Sequence, residues 1–130
     1  MRVKVVTVYV TDQDKAKAFY TETLGFTLRD DAPYGPEFRW LTVVSPEDEH
    51  TELYLAHQDR YPGAQAYRQA MYDVGTPVIG FAVDDIDHVH RALAEHGVTF
   101  TRQPKAEEYG GYGAAIDDGC GNILNLHQEP

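Results

Sequence analysis

"GFAVDDIDHVHRALAEHGVTF", residues 80–100, restates in altered letters what "VYVTDQDKAKAFYTETLGFTL", residues 8–28, has already said. Sliding the chain along itself by 73 residues sets Val10 against Val83, Asp12 against Asp85 and Asp14 against Asp87. The match runs on into Ala16, Phe19, Tyr20 and Thr23, which fall opposite Val89, Ala92, Leu93 and His96. Each set is spaced i, i+3, i+4, i+7, one face of an amphipathic helix. Asp12 and Asp85 stand where a side-chain oxygen can accept a backbone N–H and start the helix. Gly25 and Gly97 stand where a left-handed residue ends it, and at 72 residues apart they are one position out of register.

Strand signals surround both helices. "VKVVTVYV" and "TPVIGFAV" precede them, rich in β-branched residues, and "FTLRD" and "VTFTR" follow. Two further strand candidates close each half, "FRWLTVV" with "TELYLAH" and then "YGAAID" with "NILNLH". Each half therefore reads βαβββ, over residues 1–57 and 76–130. Between them, residues 58–75 read as a linker helix punctuated by Pro62 and Gly63, with Ala66, Tyr67, Ala70 and Met71 on its predicted apolar stripe.

A chain of 130 residues with 42% apolar content suits one domain, residues 1–130, with a real core. Its 11 Lys and Arg against 21 Asp and Glu give a net charge of −10, which repels phosphate backbones and anionic membranes. Neither nucleic acid nor membrane is an expected partner. Cys120 stands alone, so no intrachain disulfide or thiolate metal site can form, and the alternating Met1–Val10 lacks the apolar run of a signal peptide. The expected location is the cytoplasm.

Two βαβββ units in one chain resemble the vicinal oxygen chelate superfamily, the glyoxalase, bleomycin resistance protein and dioxygenase group. "VTDQDKAKAFYTETLGF", "VDDID" and the closing "DDGCGNILNL" carry the likeness. The last is similar to the family's Asp-Pro-x-Gly-Asn turn, with Gly119 in the proline position. This resemblance implies an α+β fold of paired βαβββ modules whose curved mixed sheets enclose a cavity, and a homodimer. It also implies four inward positions that hold the metal in the family's metal enzymes, which map here to Val5, Glu52, Val78 and Asn125. The spacing of 73 between Val5 and Val78 repeats between Glu52 and Asn125. Two valines donate nothing and Asn125 is a poor neutral ligand, so the expectation is a degenerate metal site and no cofactor.

What remains is a cavity for a small organic molecule, cationic or aromatic, in the manner of drug sequestration. Strand alternation puts His50, Glu52 and Tyr54 on one side and Asn125 with His127 on another. Leu53 and Leu55 suit the packed face, leaving Glu52 inward, where it is either an unpaired anchor for a cation or half of an ion pair with an Arg or Tyr. The expectation is the unpaired anchor. Trp40, Tyr54, Tyr109 and Tyr112 are the expected aromatic ligand contacts, the last two flanking the flexible "YGGYG". One alternative is an enzyme, either a metal-free isomerase or lyase using Glu52 with His50 or His127, and Tyr54 as a further acid, or a metal enzyme in another register. The other is a structural dimer whose cavity is filled by its own side chains. The "GGYG" glycines lack the helix and Lys of a phosphate loop, His88 and His90 point to different helix faces, and Cys120 reads as a buried or turn thiol.

Overall fold

In the computed structural model, which describes residues 1–130, the alternation near the N-terminus becomes β1 (Val5–Val10). Asp12 then accepts a hydrogen bond from the Lys15 backbone N–H at 3.0 Å and starts α1 (Gln13–Ala18). The helix continues as a π turn, Phe19–Thr23, in which the Leu24 N–H donates to the Phe19 carbonyl. This turn explains the glycine register. Asp12 to Gly25 is one residue longer than Asp85 to Gly97, and a π turn absorbs one extra residue without rotating what lies beyond it. Both glycines adopt the left-handed conformation, φ 82° and 76°.

The first unit, Met1–Arg68, is completed by β2 (Thr27–Pro33), β3 (Arg39–Ser45) and β4 (Asp48–His57). Its sheet runs β1-β4-β3-β2, with β1 parallel to β4 and the other pairs antiparallel. One face buries Val8, Val10, Leu41, Val43, Leu53 and Leu55 with Ala16 and Tyr20 of the helix. At about 1.5–3 kcal/mol for each large apolar side chain, this layer is the main stabilisation of the unit. A buried Gln13 amide fastens α1 to the strands, donating to the carbonyls of Arg39 and Leu55 at 2.9 Å each.

The second unit, Gln69–Pro130, holds β5 (Ile79–Ala82), a helix over Ile86–Glu95, β6 (Phe100–Ala106), β7 (Tyr112–Asp117) and β8 (Ile123–Gln128). Its sheet repeats the order, β5-β8-β7-β6. The helix packs Ile86 and Leu93 inward, but His96 lies exposed beyond its last turn, with Nδ1 2.8 Å from the Ala92 carbonyl. The predicted face therefore loses its final member, because this helix stops one residue sooner than its counterpart.

A short 3₁₀ turn, Gln58–Arg60, leads into α2 (Ala64–Asp73), so that the helix over Ile86–Glu95 is α3; the boundary between the units falls within α2. Its predicted stripe is corrected here. Ala66, Tyr67 and Ala70 are exposed, and the inward positions are Ala64 and Arg68 with Met71 and Tyr72 half-buried. Arg68 can occupy an inward position because its Nε donates to Gln58 Oε1 at 2.8 Å, which satisfies a group that burial would otherwise penalise.

Strand register corrects the repeat. Val44 pairs with Glu52, and Glu52 with Val5, whereas Asp117 pairs with Ile123, whose carbonyl accepts from the Val78 N–H. The hairpin between β7 and β8 is thus two residues shorter than that between β3 and β4, where the register shifts between Val44 and Ser45. The spacing of 73 holds from 5 to 78 and from 44 to 117, but falls to 71 from 52 to 123. A slip of two keeps every side chain on its face and changes only its level along the strand. Glu52 therefore corresponds to Ile123, and Asn125 to Tyr54. No helix is long and apolar enough to cross a membrane.

Candidate functional site

On the face of the first sheet turned away from α1, strand alternation gathers Tyr9 from β1, Trp40 and Thr42 from β3, and Glu52 and Tyr54 from β4. The Trp40 and Tyr54 rings lie 4.2 Å apart at 33°. Tyr34 meets Trp40 edge-on at 5.8 Å, and Tyr61 meets Tyr54 edge-on at 6.3 Å with their hydroxyls 3.1 Å apart. Tyr9 stands 6.1 Å from Tyr61, and the Arg60 guanidinium lies 4.8 Å over Tyr34 and 5.2 Å over Tyr61. Five rings and one cation form a continuous π surface, with Tyr54 buried while Trp40 remains partly open and Tyr34 exposed. Burial, reinforced by the Tyr61 hydroxyl, pushes the Tyr54 phenol above its ordinary range. Tyr54 is thus a neutral hydrogen-bonding group at physiological pH, not a ready proton donor to bulk chemistry.

Glu52 is buried as expected but is not unpaired. Its carboxylate lies 3.7 Å from Arg29 Nε and 3.9 Å from Lys4 Nζ, both on largely exposed side chains. Arg29 occupies the bulge between Leu28 and Asp30 in β2, where the alternation breaks and a side chain can leave its expected face. A cationic ligand would have to compete with two cations already beside the carboxylate. His50 is exposed at the start of β4, with its N–H bonded to Asp48 and its carbonyl to Arg2. At the sheet edge, hydrogen bonds from Arg39 and Lys17 hold the Asp31 carboxyl down to about 2, and Arg39 also reaches Asp14 at 2.5 Å. This network ties β2 and β3 to α1 outside the aromatic surface.

The second unit carries a cleft of about 760 Å³, with Tyr72, Asp73, Arg102, Tyr109 and Asn125 among its walls. Arg102 is one of its lining residues. Nη1 donates to Glu107 at 2.6 Å and Nη2 to the Asn125 side-chain oxygen at 3.1 Å. Gly113 makes this possible, because a Cβ there would collide with the ends of both Glu107 and Arg102. Deeper in the unit, the Tyr72 hydroxyl donates to Asp117 at 2.5 Å. Of the residues expected from sequence, the cleft takes Asn125 and Tyr109. Tyr112 begins β7 on the opposite side from Gly113 and is not part of the lining, while His127 is engaged by the glycine turn, with Nε2 3.1 Å from the Gly110 carbonyl and its ring 5.3 Å from Tyr109.

Of the four positions mapped as metal ligands, Val5 sits opposite Glu52, and Val78 opposite Ile123 instead of Asn125. No three His, Cys, Asp or Glu side chains converge in an arrangement that holds a metal ion. Sequence reasoning missed Tyr9, Tyr34, Tyr61 and Arg60 in the first unit and Arg102, Glu107, Tyr72 and Asp117 in the second. Tyr9 shares the parity of Val5 and was open to the alternation argument. Tyr34, Tyr61 and Glu107 lie off the strands, and Arg102 lies between two register shifts in β6, so periodicity carried no information about them.

The model of the Glyoxalase/Bleomycin resistance protein/Dioxygenase superfamily matches residues 2–126. The Bacillus subtilis (strain 168) protein YurT is 39% identical over 130 residues, covering 99% of this chain and 100% of its own. Among solved structures, UcmS2 superposes with a TM-score of 0.84 at 34% identity, covering 98% of this chain and 97% of its own. TnmS3, an antibiotic binding protein from Streptomyces sp. CB03234, superposes with a TM-score of 0.78 at 32% identity, covering 100% of this chain and 97% of its own.

Proposed function

Because the chain belongs to the glyoxalase, bleomycin resistance protein and dioxygenase superfamily, we propose that it binds a small aromatic molecule on the Trp40 surface of its first unit without the help of a metal. The observation that carries this reading is the Trp40–Tyr54 pair at 4.2 Å, extended by Tyr34, Tyr61 and Tyr9 on the side of the sheet turned away from α1, where Trp40 stays partly open and Tyr34 exposed. Aromatic rings offer large contact area at low entropic cost and polar tips that orient a flat guest. The likeness to an antibiotic binding protein supports a small organic ligand. Glu52 alone among the mapped ligand positions brings a charged donor, and a transition metal needs three or four, so the residues present do not fit such an ion.

Trp40 is the only tryptophan, so its emission reports on the surface directly. Titration with a panel of neutral and cationic polycyclic aromatics is expected to quench or shift that emission, and Trp40→Ala to weaken the calorimetric affinity of the best binder by roughly 10- to 100-fold. Unchanged emission across the panel would sink the reading. Drug sequestration in the cytoplasm is the role this chemistry suits.

A homodimer belongs to the same proposal. Strand β2 is a sheet edge, exposed along all of Thr27–Pro33, and its outer side lacks a strand neighbour. Sedimentation velocity at micromolar protein is expected to return twice the chain mass of 14.6 kDa; a monomer would rule out this part.

A further inference from the structure

We propose that Arg102 makes the cleft of the second unit a recognition site for a neutral carbonyl or amide oxygen on a flat apolar body. This goes beyond the aromatic surface of the first unit and stands whether or not that surface binds anything.

A guanidinium carries five N–H donors in one plane. Arg102 gives one to Glu107 at 2.6 Å and one to Asn125 at 3.1 Å. Three donors remain, on a side chain that is 31% exposed and lines the cleft. The two bonds fix the plane of the fork beforehand, so a ligand oxygen need not bear the entropy of ordering a long side chain. Around it, Tyr109, Val74 and Pro77 offer apolar walls to the ligand body.

Charge decides which oxygen fits. Glu107 is only 13% exposed and neutralises Arg102 at close range, Asp73 also lines the cleft, and the chain carries −10 overall. A ligand carboxylate would gain a hydrogen bond from Arg102 and lose it to repulsion from Glu107 and Asp73. A neutral carbonyl accepts the same charge-assisted bond without that opposition.

The test is a ¹H–¹⁵N titration of the whole labelled chain with 2-naphthamide and, separately, 2-naphthoate. The Arg102 Nε–H and Asn125 amide report on this cleft, and the Trp40 indole N–H reports on the first unit. Expected is a saturable shift at Arg102 and Asn125 with naphthamide, about tenfold tighter than with naphthoate. Glu107→Gln, which removes the neutralising charge, should reverse that preference. Arg102→Lys, which cannot serve three acceptors in one plane, should weaken naphthamide about tenfold. Shifts confined to Trp40, equal or tighter binding of naphthoate by the wild type, or an unchanged preference in Glu107→Gln would each overturn the proposal. If Arg102→Lys loses spectral dispersion, the Glu107→Gln comparison decides alone.

Discussion

Replacing Asp118 with alanine is expected to lower the unfolding free energy by roughly 3–5 kcal/mol. Asp118 is 1% exposed and serves three donors at once: the Cys120 N–H at 2.7 Å, the Asn122 N–H at 3.0 Å and the Asn122 side-chain amide at 3.0 Å. Alanine leaves those donors without their acceptor, and each buried polar group without its partner costs about 1–3 kcal/mol. The turn also sets the start of β8, and with it the position of Ile123 and Asn125 in the cleft. Urea denaturation should show the midpoint falling with an unchanged slope. A loss below about 1 kcal/mol would mean the turn is held by its glycines instead of by this carboxylate.

That turn marks the boundary between what local sequence specifies and what it does not. The "DDGCGN" pattern, the caps at Asp12 and Asp85 and the terminal glycines at 25 and 97 are all decided within a few residues, so each could be read without knowing the fold. The strands were readable for the same reason, since alternation is local. Register is not local. The hairpin from Asp117 to Ile123 is shorter by two residues than that from Val44 to Glu52, and because two is the period of a strand, no inside-out pattern betrays the change. The internal spacing of 73 therefore looked consistent while Asn125 sat one step too far along to match Glu52.

Bulges hid the charges in a related way. Arg29 in β2 and Arg102 in β6 both lie where pairing shifts, so alternation assigns them no reliable face. The first neutralises Glu52 from outside, and the second supplies the cation of the cleft. Each sheet thus carries a buried or half-buried carboxylate beside an arginine. In the first unit the acid is inward and its cations face water; in the second the arginine faces the cleft and its acid is screened. Glu52 thus already has two cations beside it, and the guanidinium that lines a cleft is that of Arg102.

Gly111→Ala should cost about 3 kcal/mol, and the reason is backbone on both sides of the new methyl group. Gly111 holds φ 73°, a left-handed conformation that costs an alanine about 1–2 kcal/mol. A Cβ there would also overlap the backbone carbonyl of Gln128 on β8, which cannot rotate away as a side chain can, adding about 1–3 kcal/mol of overpacking. The strain would be transmitted to the cleft, because the Glu107 N–H donates to the Gly111 carbonyl at 3.0 Å and the Gly110 N–H to the Glu107 carbonyl at 3.1 Å. Gly113→Ala is the matched control. Its new Cβ meets only the movable ends of Glu107 and Arg102, so the fold should lose less while the ion pair between them is broken. Thermal unfolding is expected to place Gly111→Ala roughly 10 °C below the wild type, with Gly113→Ala closer to it. The reverse order would show that the ion pair, and not the glycine turn, is what holds this side of the second unit together.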